Sequence, residues 1–147
     1  VSRSTIIAKE FRWEMGHRLP HHGGLCRNIH GHSYEAHVKL EGMPDASGMV
    51  MDYFDVKTMV QPIIDELDHC FLCDSSDTVM MEFFASNPMK VVTIDAPSTA
   101  ENIAALLLQR IADRLPARHS ITNLWVRVYE TEKTYAEVTM NLGTGAV

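Results

Sequence analysis

Three imidazoles and one thiol fall within sixteen residues: His17, Cys26, His30 and His32. Imidazole nitrogen and thiolate sulfur are the donors that zinc takes, and a deprotonated thiol is also a base. On an extended strand, side chains two apart share a face, so His30 and His32 project together, and Gly31 leaves the other face open. If His17 ends an adjacent strand, the three rings converge. Three neutral histidines with a fourth position open is the pattern of a catalytic zinc site, whereas structural sites usually fill all four positions. Iron and copper accept the same donors, and an H-x-H pair alone is more often two surface or hydrogen-bonded histidines. The third histidine and the nearby cysteine shift the balance toward a metal. Cys26 itself has two readings. It is either the fourth ligand of a closed structural site or a general base beside the metal, where positive charge lowers a thiol's pKa. Spacing does not choose between them.

Other groups carry chemistry less specifically. Asp68-His69 ends a predicted helix, where it is either an oriented imidazole or a cap complementing the negative end of the dipole. Glu130 closes a strand that is otherwise apolar and aromatic on one face. It is a solvated strand end or a carboxylate reaching into a pocket, able to accept two parallel hydrogen bonds from an amino-heterocycle. Cys70 and Cys73 have C-x-x-C spacing but neither a thioredoxin-like context nor a second pair, and read as ordinary thiols. His21, His22, His37 and His119 have no partners at ligand spacing and read as solvent-facing or structural.

The positioning elements follow from hydrophobic periodicity. Residues 5–17 alternate partly and predict a first strand ending at His17. Pro20 and Gly23-Gly24 open a loop that contains Cys26. A second strand begins near His30 or His32 and puts Tyr34, Ala36, Val38 and Leu40 on one face. Asp52 caps a helix over 53–67 whose stripe is Val56, Met59, Val60, Ile63, Ile64 and Leu67, with a kink expected at Pro62. Residues 74–97 carry the weakest pattern: a short helix over 78–85 and a short strand over 90–94. Ser98-Thr-Ala-Glu101 has the form of a capping box opening a helix to about Leu115, buried through Ile103, Leu106, Leu107, Ile111 and Leu115. Two alternating runs, 124–130 and 134–140, form a hairpin. Strand pair, helices, strand pair favours α+β with an antiparallel sheet.

The 147 residues are most simply a single domain, 1–147, with 46% hydrophobic and 22% charged residues. The net charge of −6 argues against bulk nucleic-acid or anionic-membrane binding. No apolar run approaches the roughly 20 residues that cross a bilayer, and the first residues lack a secretory core. Three cysteines do not suggest a disulfide framework. The expectation is a soluble cytoplasmic protein with free thiols.

Six segments in order bring a family to view: Phe11…His17-Arg-Leu-Pro20, Cys26-x-x-x-His30-Gly-His32, Gly48-Met-Val-Met-Asp52-Tyr-Phe, Leu67-Asp-His69-x-x-Leu72, Pro97-Ser-Thr-Ala-Glu-Asn102 and Val128-Tyr-Glu-Thr131. Together they resemble the 6-pyruvoyltetrahydropterin synthase superfamily, more closely its bacterial 6-carboxy-5,6,7,8-tetrahydropterin synthase branch. The three-residue gap between Cys26 and His30 fits that branch; the pyruvoyl-forming enzymes of animals typically have five. The resemblance implies the tunnelling fold: a four-stranded antiparallel sheet with helices on one face, in the order β-β-α-(α/β insert)-α-β-β. It also implies a homo-oligomer, often a hexamer, with active sites between subunits.

By the same resemblance, His17, His30 and His32 match zinc ligands, and Cys26 matches the catalytic cysteine with Asp68 and His69 as activating partners. Glu130 matches the residue that anchors the pterin ring, with Thr99 of the Pro97–Asn102 segment beside the substrate. The implied reaction is a zinc-dependent carbon–carbon lyase step on 7,8-dihydroneopterin triphosphate, releasing acetaldehyde and triphosphate and feeding queuosine and other deazapurines. Arg18, Arg27 and Lys133 are candidates for the triphosphate. Two alternatives stand: the pyruvoyl-forming synthase, and a non-catalytic zinc protein closed by Cys26. Residues 74–97 are longer than in compact bacterial members, which puts the pocket rim in question.

Overall fold

The computed structural model describes residues 3–143. Two 13-residue strands, β1 (Thr5–His17) and β2 (His30–Gly42), pair antiparallel in unbroken register from Thr5↔Gly42 to His17↔His30. The alternation read in the sequence is the alternation of burial. Phe11, Trp13 and Met15 on β1 and Tyr34, Ala36, Val38 and Leu40 on β2 all point into the core. Strands β5 (Ile121–Thr131) and β6 (Thr134–Asn141) form the expected hairpin, and β5 adds antiparallel to β2.

Helix α1 (Tyr53–Leu67) begins where Asp52 accepts a 2.8 Å hydrogen bond from the Phe54 N–H and continues through Pro62, which sits on its exposed side. Its buried stripe is Val56, Val60, Ile63, Ile64 and Leu67. Helix α3 (Ala100–Ala112) buries Ile103, Ala104, Leu107, Leu108 and Ile111, and both helices close one core with the inward face of the sheet. Among the described residues no helix is long and apolar enough to cross a membrane.

The four antiparallel strands are present as expected, but the sheet is larger and mixed, in the order β4-β3-β1-β2-β5-β6. The insert supplies the extra two: β3 (Cys70–Asp74), helix α2 (Thr78–Ser86) and β4 (Val91–Ile94), with β3 parallel to β1 and β4 parallel to β3. Strand β3 was invisible to alternation, since four of its five residues are buried and no polar face marks it. A second difference lies at α3. Its N-cap is Thr99, whose hydroxyl accepts from the Asn102 N–H at 3.3 Å, one residue later than a Ser98–Glu101 capping box requires. Ser98 is thereby freed, and it is fully buried.

Gly31 is required by close approach. A Cβ there would lie 2.9 Å from the Met15 carbonyl oxygen on the facing strand. Gly31→Ala is expected to cost about 1–3 kcal/mol in denaturant unfolding of the metal-free protein. Gly23→Ala, where a Cβ meets nothing within 4 Å, is the neutral control.

Candidate functional site

The β1–β2 register fixes the site before any long-range contact does. His17 stands opposite His30, and Met15 opposite His32, so the three rings continue the same inward faces that carry Met15 and Tyr34. Their ligand-capable nitrogens lie within 4.8 Å of one another, and ring centroids are 4.6–5.2 Å apart. The convergence inferred from spacing is therefore the geometry of the folded chain.

Two rings are fixed in tautomer. His17 Nδ1 lies 2.7 Å from the Ser98 carbonyl oxygen and 3.2 Å from its hydroxyl; His30 Nδ1 lies 2.7 Å from the Asn28 carbonyl oxygen. A carbonyl only accepts, so each Nδ1 carries the proton and each Nε2 presents a lone pair. His17 Nε2 is buried without a hydrogen-bond partner. An orphaned buried acceptor beside two further imidazoles is a costly arrangement that a divalent cation would relieve. The donor set fits zinc. Desolvation, opposed by the Ser98 bond and reinforced by His30 and His32, lowers the His17 pKa to about 4; desolvation and then His30 lower that of His32. His17 is thus neutral at pH 7, the form that ligates, and His32 is shifted in the same direction.

Glu130 reaches the same place from β5, its carboxylate 4.0 Å from His17 Nε2. Burial, followed by the charge of Glu101, raises its pKa. Glu130, Glu101 and Thr99 line one cavity of about 230 Å³ with Leu19, Ala100 and residues 134–136. Glu101 escaped the sequence reading because it was assigned to a cap that Thr99 makes instead. Lys133, in the β5–β6 turn, and Arg27, in the 3₁₀ turn Leu25–Arg27, are exposed.

Arg18 is a correction. It is not a free cation for a triphosphate: its guanidinium grips Asp77 through two 2.6 Å hydrogen bonds, with 18% and 3% of the two side chains exposed. The pairing spans 59 residues and had no local signal.

Asp68 and His69 follow α1. His69 adopts a left-handed φ of 61° and its N–H bonds the Glu14 carbonyl at 2.6 Å. Asp68 Oδ1 accepts from the Glu14 N–H at 2.9 Å, and Oδ2 lies 3.0 Å from His69 Nδ1. The carboxylate is held below its usual pKa, first by that backbone hydrogen bond. The imidazole is therefore oriented, and it lines an open cleft with Gly31, His30 and His32. No hydrogen bond among the described residues joins this pair to Cys26, which is half-buried in the 3₁₀ turn. Cys70 and Cys73 are buried free thiols, and burial pushes Cys70 up to about 11.

A second trio, Glu10, Glu35 and His37, also brings its ligand atoms within 4.8 Å. It lies on the opposite face of the sheet, where Arg12 donates to Glu35 at 3.2 Å and Lys39 and Arg127 share Glu137. These are cross-strand ion pairs, and His37 is structural among them.

Fold and site together define a tunnelling-fold protein whose core-facing strand ends carry three convergent imidazoles. The model of the 6-pyruvoyl tetrahydropterin synthase family matches residues 6–141, and the chain belongs to that family. A 6-carboxy-5,6,7,8-tetrahydropterin synthase of Haemophilus influenzae is 32% identical over 139 residues, 89% of this chain and 96% of that protein. One of Synechocystis is 34% identical over 123 residues, 79% and 82% of the two chains. Among solved structures, 6-pyruvoyl tetrahydropterin synthase of Plasmodium vivax superposes with a TM-score of 0.79 at 19% identity, covering 95% of this chain and 99% of its own. An uncharacterized protein of Wolinella succinogenes gives 0.77 at 27% identity, covering 93% and 98%.

Neutral burial of His17 has a testable cost. The unfolded chain takes up a proton near pH 6.5 and the folded chain only near 4, so the unfolded state binds more protons between them. Stability of the chelator-treated protein is expected to fall by about 3 kcal/mol as pH drops across that window. Denaturant titrations at several pH values measure the slope, which should shrink in His17→Gln to the part that His32 contributes.

Proposed function

We propose that this chain, an enzyme of the tetrahydropterin synthase type, converts 7,8-dihydroneopterin triphosphate and a water molecule to 6-carboxy-5,6,7,8-tetrahydropterin, releasing acetaldehyde and triphosphate. The observation that carries the reading is the trio of convergent imidazoles, two of them locked with Nε2 lone pairs free, in a chain whose curated relatives bear that enzyme's name. His17, His30 and His32 hold zinc. When bound, the ion supplies Lewis acidity to the substrate's side-chain hydroxyl oxygens.

The chain's own groups do the rest. Glu130 binds the ring: a half-buried carboxylate beside the imidazoles accepts parallel N–H donors from a pterin, and Thr99 lies at the same cavity wall. Cys26 Sγ takes a proton from the side-chain carbons. Asp68 fixes His69 through Nδ1, leaving Nε2 to exchange protons with solvent or with the thiol. No hydrogen bond among the described residues joins Cys26 to Asp68–His69, and in this proposal the working unit is a homo-oligomer that completes each site from two subunits. With Arg18 paired to Asp77, the exposed Arg27 and Lys133 are the cations that would meet the triphosphate. The carboxylated product suits supply to queuosine and related deazapurines.

Incubation of the zinc-loaded protein with 7,8-dihydroneopterin triphosphate should yield the 6-carboxy pterin and acetaldehyde, identified by mass spectrometry. A pyruvoyl pterin without acetaldehyde would assign the chain to the other branch. Cys26→Ala is expected to retain zinc and lose about 10²–10⁴-fold in turnover; loss of zinc with the fold would instead support the closed structural site. Glu130→Gln should raise KM more than it lowers kcat.

A further inference from the structure

The insert β3–α2–β4 is unexplained by the reaction, as is the ion pair that joins it to β1. Asp77 caps α2, accepting from the Met80 N–H at 3.3 Å, and simultaneously takes both arms of the Arg18 guanidinium. Asp77 is 5% exposed, so this is a desolvated bidentate pair. Arg18 directly follows His17. Its carbonyl accepts from the Ser98 hydroxyl at 3.3 Å, and Ser98 in turn receives the His17 Nδ1–H on its carbonyl and hydroxyl oxygens. The proton count closes: the Ser98 hydroxyl has one hydrogen and gives it to Arg18, while the imidazole gives its own to Ser98. The strand end carrying His17 is thus held from two sides, by Ser98 ahead of α3 and by Asp77 at the start of α2.

We propose that Asp77, acting through Arg18, is a positioning residue for the three-histidine site, and that the insert serves to hold His17 in its ligating pose. This rests on the metal reading above. An isolated strand end frays; here, beyond the last β1–β2 pair, the chain is clamped to a helix cap through side chains rather than through further ladder. The energy that holds Arg18 is therefore spent on the backbone next to the ligand.

Zinc affinity by chelator competition, the visible spectrum of the Co²⁺-substituted protein and the unfolding midpoint of the metal-free protein test this together. Asp77→Asn keeps a capping side chain and removes the charge. It should weaken zinc binding about tenfold, the lower end of what outer-shell partners contribute, and alter the Co²⁺ spectrum. Arg18→Lys, which keeps charge but loses the fork, should give a smaller loss in the same direction. The Arg18→Gln/Asp77→Asn double variant should bind zinc no worse than Asp77→Asn. Zinc affinity within twofold of wild type and an unchanged Co²⁺ spectrum, with only the unfolding midpoint lowered, would make the pair purely structural and overturn the proposal. If Asp77→Asn does not fold, Arg18→Lys carries the same comparison. Wild-type protein that takes up no zinc would sink the metal reading itself, whereas wild-type binding with unaffected variants sinks this one alone.

Discussion

The site depends on one constraint, the pairing register of β1 on β2. With His17 opposite His30 and Met15 opposite His32, three imidazoles and the core side chains share a face. A slip by one residue would send one strand's ligands to the other side of the sheet. The register is defended by thirteen consecutive pairs, by the buried pairs Phe11–Ala36 and Trp13–Tyr34 within them, and by Gly31, where nothing larger than hydrogen lets Met15 approach. Packing and chemistry are therefore not separable here: the same alternation that builds the core delivers the ligands.

Charge is managed in the same region by burial. Burial disfavours the imidazolium of His17 and of His32, and Glu130 is made reluctant to ionise for the mirror-image reason, with Glu101 adding to it. A cation-seeking trio thus borders an acceptor-rich cavity. Opposite preferences a few ångströms apart suit a ligand that offers oxygen at one end and N–H groups at the other.

Much of this was legible in the sequence, because strong periodicity reports its own fold. The strand over 5–17 and the helix over 53–67 follow directly from alternation and from the Asp52 cap. The failures share a different cause. Strand β3 is buried on both faces, so it has no period to read. At α3, Ser98 and Thr99 are equally good caps on paper; Thr99 takes the cap, and Ser98 is engaged instead by the imidazole of His17, 81 residues away. Arg18 looked like a phosphate ligand because its partner Asp77 lies 59 residues further on. Local chemistry is readable from local sequence, but which of two competing partners wins is decided by the tertiary fold.

The bond from His17 to Ser98 has a kinetic side. The three ligands span only sixteen positions and come together when a single hairpin closes, an event on the order of microseconds for an isolated hairpin. The Ser98 acceptor reaches them only after α1, the insert and the start of α3 have found their places. Until then His17 is free to carry its proton on either nitrogen. The imidazoles are thus gathered by a local pairing, while the choice of which nitrogen faces inward rests on a contact whose loop is several times longer and costlier to close.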